Sequence, residues 1–259
     1  MIKIKTQEEL AIMQESGWIL AETLWKVVKN VRPGVSELEL DALAEKLIRE
    51  KGGEPGFQKV PGYKHATCIS TNDVVVHGIP TEYKLKDGDI IGVDCGVFYK
   101  GFHTDMAETV KVQTQNSKLK TQNSDEVDRF LRVGKEALEA GLKQAVLGNH
   151  VGDISKAIQD FVEVQNGYSV VRSLVGHGVG RELHEEPEIP GYLIGKIEKT
   201  PLLREGMVIA VEVIYNMGGP ELVFANKDGW TLKTEDGSLA GLFERSLAIT
   251  KSGPLILTR

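Results

Sequence analysis

Two hydrophobic periods take turns along the chain. From Thr6, where TQEE sets Glu9 three residues after a threonine, apolar residues recur at Leu10, Met13, Leu20, Leu24, Val27 and Val28. That is a capping box followed by the broad stripe of an amphipathic helix, ended by Pro33. SELE at 36–39 opens a second helix carrying Leu40, Leu43, Leu47 and Ile48, which Gly52 and Gly53 stop. Strand-like runs follow in ATCIS, in VVVHGI and in the long stretch DIIGVDCGVFYKGFHTDMAETVKV at 89–112. The polar tract TQNSKLKTQNSDE then lacks any apolar period and reads as a surface connection, its doubled TQNS as chance or local duplication. Beyond it the order begins again. Helices are expected from about Asn123 to Leu147 and from about Asp153 to Asn166, then strands in YSVVRSLVGH, GMVIAVEVIYN, ELVFAN and ERSLAIT. Each half reads helix, helix, strands. This predicts an α+β fold, with halves at about 1–113 and 123–259 sharing one sheet and a linker at about 114–122, not an alternating βαβ chain.

Some strand-like runs carry groups that should not be buried. Asp94 follows Ile90, Ile91 and Val93, and Asp105 precedes Val110 and Val112. With Tyr99 and Lys100 at a hairpin tip the two aspartates face each other directly; with Lys100 and Gly101 there, they are a step out of line. Facing carboxylates about 4 Å apart repel by roughly 4 kcal/mol at an effective dielectric near 20. Ile91, Val93, Cys95 and Val97 share one strand face, and Asp94 shares the other with Gly92 and Gly96, a space kept open by glycines. Glu212 interrupts the apolar run of GMVIAVEVIYN, Glu244 that of GLFERSLAIT, and His177 ends a strand at a glycine-rich bend. Carboxylates in such places are solvated, salt-bridged (Arg245 adjoins Glu244), protonated or metal-bound. Two Asp, two Glu and one His form an oxygen-rich set suited to Mn, Co, Fe or Zn, and two divalent cations would balance four carboxylates. Paired metals activate water and polarise carbonyl or phosphoryl oxygens.

Other chemistries fall away. His184 in GRELHEEPEIPG is not the start of a helical HExxH zinc motif, because position 188 is Glu. No GxSxG elbow and no complete Walker A motif occurs. His77, after Val74–Val76, reads on its own as a packed or surface residue. Cys68 and Cys95 read as buried small residues; as the only cysteines they supply no disulfide framework and suit a reducing cytosol. A net charge of −6 gives no reason to expect nucleic acid or an anionic membrane as partner. The start MIKIKTQEEL is too polar for a signal peptide and no apolar run is long enough to span a bilayer, so the expected location is cytoplasmic.

Taken in order, NDVVVHGIP, LKDGDIIGVDCGV…GFHTDMAET, GHGVGRELHEEP, GMVIAVE and DGWTLKTEDGSLAGLFERSLAIT resemble the signature blocks of type I methionine aminopeptidases, the short bacterial-type form within peptidase family M24. The resemblance spans nearly the whole chain. It implies the pita-bread fold, two pseudo-symmetric halves around a curved antiparallel sheet in a single catalytic domain. Asp94, Asp105, His177, Glu212 and Glu244 would then be the ligands of two divalent ions. Asp105 and Glu244 would bridge them, Asp94 would complete one site, and His177 and Glu212 the other. The implied activity is removal of the N-terminal methionine from peptides and nascent proteins by attack of a metal-bridging hydroxide on the first peptide bond. Glu212 would handle the proton, His77 and His184 would contact substrate, and the free α-amino group would be recognised at a metal.

Tyr63, Cys68 and Trp230 match the family's methionine side-chain pocket, whereas Phe57, Val60 and Leu183 depart from it. Val213, Leu242 and Arg245 stand where the family has proline, glutamine and histidine. A transient ribosome contact through lysines such as Lys227 and Lys233, and a monomeric state, accompany this reading. The competing readings are an Xaa-Pro aminopeptidase or creatinase-like hydrolase and a non-catalytic binding protein of the same fold. The first usually carries an added N-terminal domain, the second replaced ligands. The short interval between Glu212 and Glu244 argues against a type II enzyme.

Overall fold

Both predicted capping boxes start helices in the computed structural model, which describes residues 1–113 and 124–259. The expected linker at 114–122 and all but the last residue of the TQNS repeat lie outside the described residues. Helix α1 spans Gln7–Lys29 and α2 spans Glu37–Glu50. At α1 the Glu9 N–H donates to the Thr6 hydroxyl while the Thr6 N–H donates to the Glu9 carboxylate; Ser36 and Glu39 repeat the exchange at α2. Strands β1 (Glu54–Pro55), β2 (Thr67–Thr71), β3 (Val74–Val76), β4 (Ile90–Tyr99) and β5 (Phe102–Lys111) complete the first half. The second holds α3 (Ser124–Gln144) and α4 (Val151–Gln159), the latter running into a π-helical turn at Asp160–Gln165. Its strands are β6 (Ser169–Val170), β7 (Val175–Gly178), β8 (Glu185–Pro190), β9 (Val208–Asn216), β10 (Leu222–Phe224), β11 (Leu232–Thr234), β12 (Ala240–Thr250) and β13 (Gly253–Ile256).

Ten of these strands form one antiparallel sheet whose main path runs β1-β4-β5-β12-β9-β7-β8, so both halves contribute and meet where β5 pairs β12. Not every expected strand joins it. β3 and β10 pair instead with β11 in a separate three-stranded sheet. The segment after β3 stays against β2, where the Gly78 carbonyl accepts from the Ile69 N–H, and His77 lines the cavity beside the main sheet.

One face of the large sheet is covered by helices. Ile91, Val93, Cys95 and Val97 pack under α1 and α2 with Leu20, Leu24, Leu40 and Ile48. Val211, Val213, Phe243 and Leu247 pack under α3 and α4 with Phe130, Leu138 and Ile154. Each such burial contributes about 1.5–3 kcal/mol and fixes which face of the strand looks away from the helices. The intervening residues Asp94, Glu212 and Glu244 must therefore share the opposite face.

The hairpin turn is Lys100–Gly101, not Tyr99–Lys100. Both residues have positive φ (47° and 88°), the signature of a type I′ connection whose twist matches its strands. The aspartates are accordingly not face to face. Asp94 pairs with Ala107 and Asp105 with Gly96, which makes the carboxylates diagonal neighbours on one face.

His77 itself has φ of 55°, a conformation a side chain rarely adopts, and Gly78 follows it. The Gly78 carbonyl accepts from the Ile69 N–H at 2.8 Å, and a Cβ added at Gly78 would collide with the Ile69 carbonyl. Gly78→Ala is expected to cost on the order of 2 kcal/mol and lower Tm by about 4–8 °C. Thermal unfolding followed by circular dichroism checks this; an unchanged Tm would mean that the segment does not need this close approach.

Candidate active site

The register of five strands lines up one row of side chains. Cys68 pairs with Asp94, Asp94 with Ala107, Ala107 with Glu244, and Glu244 with Glu212. Asp105 lies two residues from Ala107 on the same face. His177 lies opposite Ala210, two residues from Glu212. Ala107, fully buried with the smallest side chain that keeps a strand regular, leaves room between the carboxylates. All five predicted ligands thus border one cavity of about 300 Å³, together with His77 and His184.

The seam between the halves is held by side chains. Ser246 Oγ donates to the Asp105 carbonyl at 2.8 Å and accepts from the Asp105 N–H at 2.9 Å. Thr109 Oγ1 donates to the Leu242 carbonyl and accepts from its N–H. These hydroxyls set Asp105 and Glu244 at a fixed spacing. Arg245, one residue from Glu244, points to the opposite face, where it pairs with buried Glu108 at 2.8 Å. It does not neutralise Glu244.

The electrostatics call for a cation. Asp105 and Glu244 are 4% and 2% exposed. Burial pushes the Asp94 carboxyl up to about 7, partly opposed by hydrogen bonding to Asp105. Burial first, then the charges of Asp94 and Glu212, drives Asp105 well above the carboxylate range. Glu212 and Glu244 rise for the same two reasons. Asp94 Oδ1 and Glu244 Oε1 are buried and have no hydrogen-bond partner among the described residues. His177 donates from Nδ1 to the Gly178 carbonyl at 2.9 Å, which leaves the Nε2 lone pair facing Glu212 Oε1 at 3.5 Å and Glu244 Oε1 at 4.0 Å. Burial, reinforced by His184, pulls this imidazole down to about 3. A neutral lone pair facing carboxylate oxygens is a ready ligand for a metal ion, the alternative partner being a carboxyl that has kept its proton. Ligand atoms of Asp105, His177 and Glu244 lie within 4.8 Å of one another, and the donor set fits a divalent ion.

Beside the carboxylates lies an apolar pocket made by Phe57, Val60, Tyr63, Cys68, Leu183 and Trp230. Tyr63 packs edge-on against Trp230 at 5.2 Å and donates its hydroxyl to the Thr67 carbonyl. Phe57 fills the space beside Gly96, where an added Cβ would stand 2.8 Å from its ring. The glycine face of β4 is therefore not open: an aromatic wall occupies part of it. Asp228 holds the loop that presents Trp230, accepting from the Trp230 and Thr231 N–H groups and the Thr231 hydroxyl. His184 stands at the exposed rim with its ring 4.4 Å from that of His177. Burial lowers the His77 imidazole further below its usual range, and His184 adds to this.

Sequence reasoning missed the far wall, where Val76, Ser173, Leu174, Val175 and Ile214 line the same cavity with Leu242. Their signal was there in principle. Ile214 and Leu242 share strand parity with Glu212 and Glu244, which placed them on the site face.

The model of Metallopeptidase family M24 matches residues 11–243. A methionine aminopeptidase of Clostridium perfringens is 42% identical over 100% of this chain and 99% of its own length. Methionine aminopeptidase 1 of Bacillus subtilis is 43% identical over the full length of both. The crystal structure of a Thermotoga maritima methionine aminopeptidase superposes with a TM-score of 0.91 at 39% identity, covering all of both chains. The prolidase of Pyrococcus furiosus, 22% identical with a TM-score of 0.76, shares the fold over 65% of its own chain.

Proposed function

The chain belongs to metallopeptidase family M24, and from that premise we infer that it is an aminopeptidase which removes the N-terminal methionine from peptides and nascent proteins. The observation that carries this reading is the meeting of the carboxylate–histidine row with an apolar pocket in one cavity. Asp94, Asp105, His177, Glu212 and Glu244 would hold two divalent ions, drawn from Co, Mn, Fe or Zn. Bound there, they would supply Lewis-acid polarisation of the scissile carbonyl and lower the pKa of water.

The chain's own groups divide the remaining work. The Phe57–Tyr63–Trp230 pocket takes an unbranched apolar side chain and fixes the peptide's first residue, which places its carbonyl over the row. Glu212 accepts a proton from water and returns it to the leaving amine. His184 and His77 donate hydrogen bonds to the scissile carbonyl and the developing oxyanion. Leu183 and the aromatic walls keep bulk water from the first residue's side chain. No described helix is long and apolar enough to cross a membrane. We place the reaction in the cytoplasm, in one catalytic domain whose two halves meet at the site.

The test is cleavage by metal-stripped protein resupplied with Mn, Co, Fe or Zn, on matched tripeptides beginning Met-Ala, Leu-Ala and Ala-Pro. Metal-dependent release of methionine is expected. Preferential cleavage before proline would move the chain to the Xaa-Pro branch, and no cleavage by folded protein would favour a binding role.

A further inference from the structure

Building on the aminopeptidase reading, we propose that Lys5 is a positioning residue. Its buried ion pair with Glu185 holds the turn at 180–185, so that Leu183 stays in the pocket wall and His184 stays beside His177.

The N-terminal segment is an unexpected place for a buried charge. Met1 and Ile4 are exposed and the Lys3 side chain is half exposed, yet the Lys5 side chain is 4% exposed and that of Glu185 is 3% exposed. Lys5 Nζ donates to Glu185 Oε2 at 2.8 Å. The other Glu185 oxygen accepts from the Arg181 N–H at 2.9 Å and from the Glu182 N–H and Lys3 Nζ at 3.3 Å. One carboxylate thus gathers the backbone of the turn and the N-terminal arm. The lysine stem runs directly beneath the turn: a Cβ added at Gly180 would lie 2.6 Å from Lys5 Cε. The backbone of Lys5 is fixed in turn, its N–H donating to the Gly206 carbonyl at 2.8 Å. At the other end of the turn the His103 N–H donates to the Gly180 carbonyl at 2.6 Å.

A buried ion pair seldom adds much net stability, because desolvation offsets the attraction. What this one does is over-determine a short turn between two anchors. Leu183 and His184 sit inside that turn, and His184 adjoins Glu185 in sequence. A misplacement of about 1 Å in a group that contacts the reacting centre can cost up to a hundredfold in rate.

The experiment uses the full chain, metal-loaded, at a temperature well below the unfolding of each variant. In Lys5→Met, kcat on the Met-Ala tripeptide is expected to fall by about tenfold or more. The rate ratio of Leu-Ala to Met-Ala is expected to change, and Mn affinity measured by calorimetry to stay at the wild-type value. In the metal-free protein the His184 ring resonance, assigned by its loss in His184→Ala, is expected to shift or split. Arg181→Met removes an exposed ion pair with Glu9 on the same turn and should leave all four readouts unchanged. If Lys5→Met does not fold, Glu185→Gln, isosteric and neutral, serves in its place. A folded variant with wild-type kcat, ratio and ring resonance would overturn the proposal, since a purely structural role would lower Tm alone. Were the wild type itself inactive on methionyl peptides, the functional reading would fall, and the ring resonance would still decide the role of Lys5.

Discussion

Replacing Glu212 by glutamine is expected to lower kcat on methionyl peptides by about a thousandfold while leaving the protein folded. Glu212 sits at the middle of β9, directly opposite Glu244, with its carboxylate 3.5 Å from His177 Nε2. Glutamine keeps the shape and the apolar neighbours Val211 and Val213. It cannot take a proton, and it offers one fewer anionic oxygen to a cation. General acid–base assistance is worth about 10²–10⁴ in rate, so the loss should dwarf that of any pocket substitution. Stability should not suffer, because a crowded anion has been removed from a site where three other carboxyls repel it. Steady-state kinetics on the Met-Ala tripeptide with saturating Mn measures the first effect, and a melting curve the second. A variant that kept more than about a tenth of the wild-type rate would exclude Glu212 as the proton carrier.

How much of this site could be read without coordinates depends on how local its determinants are. The capping boxes at Thr6 and Ser36 act within four residues, and each starts a helix where it was expected. The parity of Asp94 against Ile91, Val93, Cys95 and Val97 is equally local, and it correctly separates the helix-covered face from the other. The row itself is not local. Whether Asp94 and Glu244 lie on one line depends on the β5–β12 register, set by Ser246 and Thr109 hydroxyls more than 130 positions away from their partners. The exact facing of the hairpin turned on a single residue, Lys100 adopting positive φ, which leaves little trace in composition. β8 was missed because EEPEIP carries two prolines and no alternating pattern, yet it sits at the sheet edge where proline is tolerated. Phe57 lies in an irregular loop, so its place against Gly96 follows from packing alone. Arg245 beside Glu244 suggested a salt bridge; strand alternation sends it to Glu108 instead. The five candidate ligands stand out as charged or imidazole groups in apolar runs, the resemblance adds how they would divide between two ions, and the register provides the physical reason they can converge.

Stripping divalent cations is expected to make the protein's stability fall as pH rises from about 4 to about 8, and restoring them should abolish that slope. Asp94 lies near 7 in the folded chain against an ordinary 3.8, and Asp105, Glu212 and Glu244 are displaced in the same direction. Below the ordinary value these carboxyls are protonated in folded and unfolded chains alike and contribute nothing to the difference. Between the two values the unfolded chain has released protons that the folded chain still holds, so raising pH favours unfolding. Above the folded value the full penalty is present, on the order of 4 kcal/mol for Asp94 alone, as an upper estimate. A cation in the row removes the cause, since ionised carboxylates then face positive charge. Melting curves of metal-free and Mn-loaded protein at several pH values would show a falling and a flat series. The metal-free Asp105→Asn variant should fall less steeply than the metal-free wild type, because one of the repelling carboxyls is gone. A metal-free protein whose Tm held constant or rose across this window would mean that the four carboxyls are not held together as charged neighbours, and the case for a cation among them would lose its electrostatic ground.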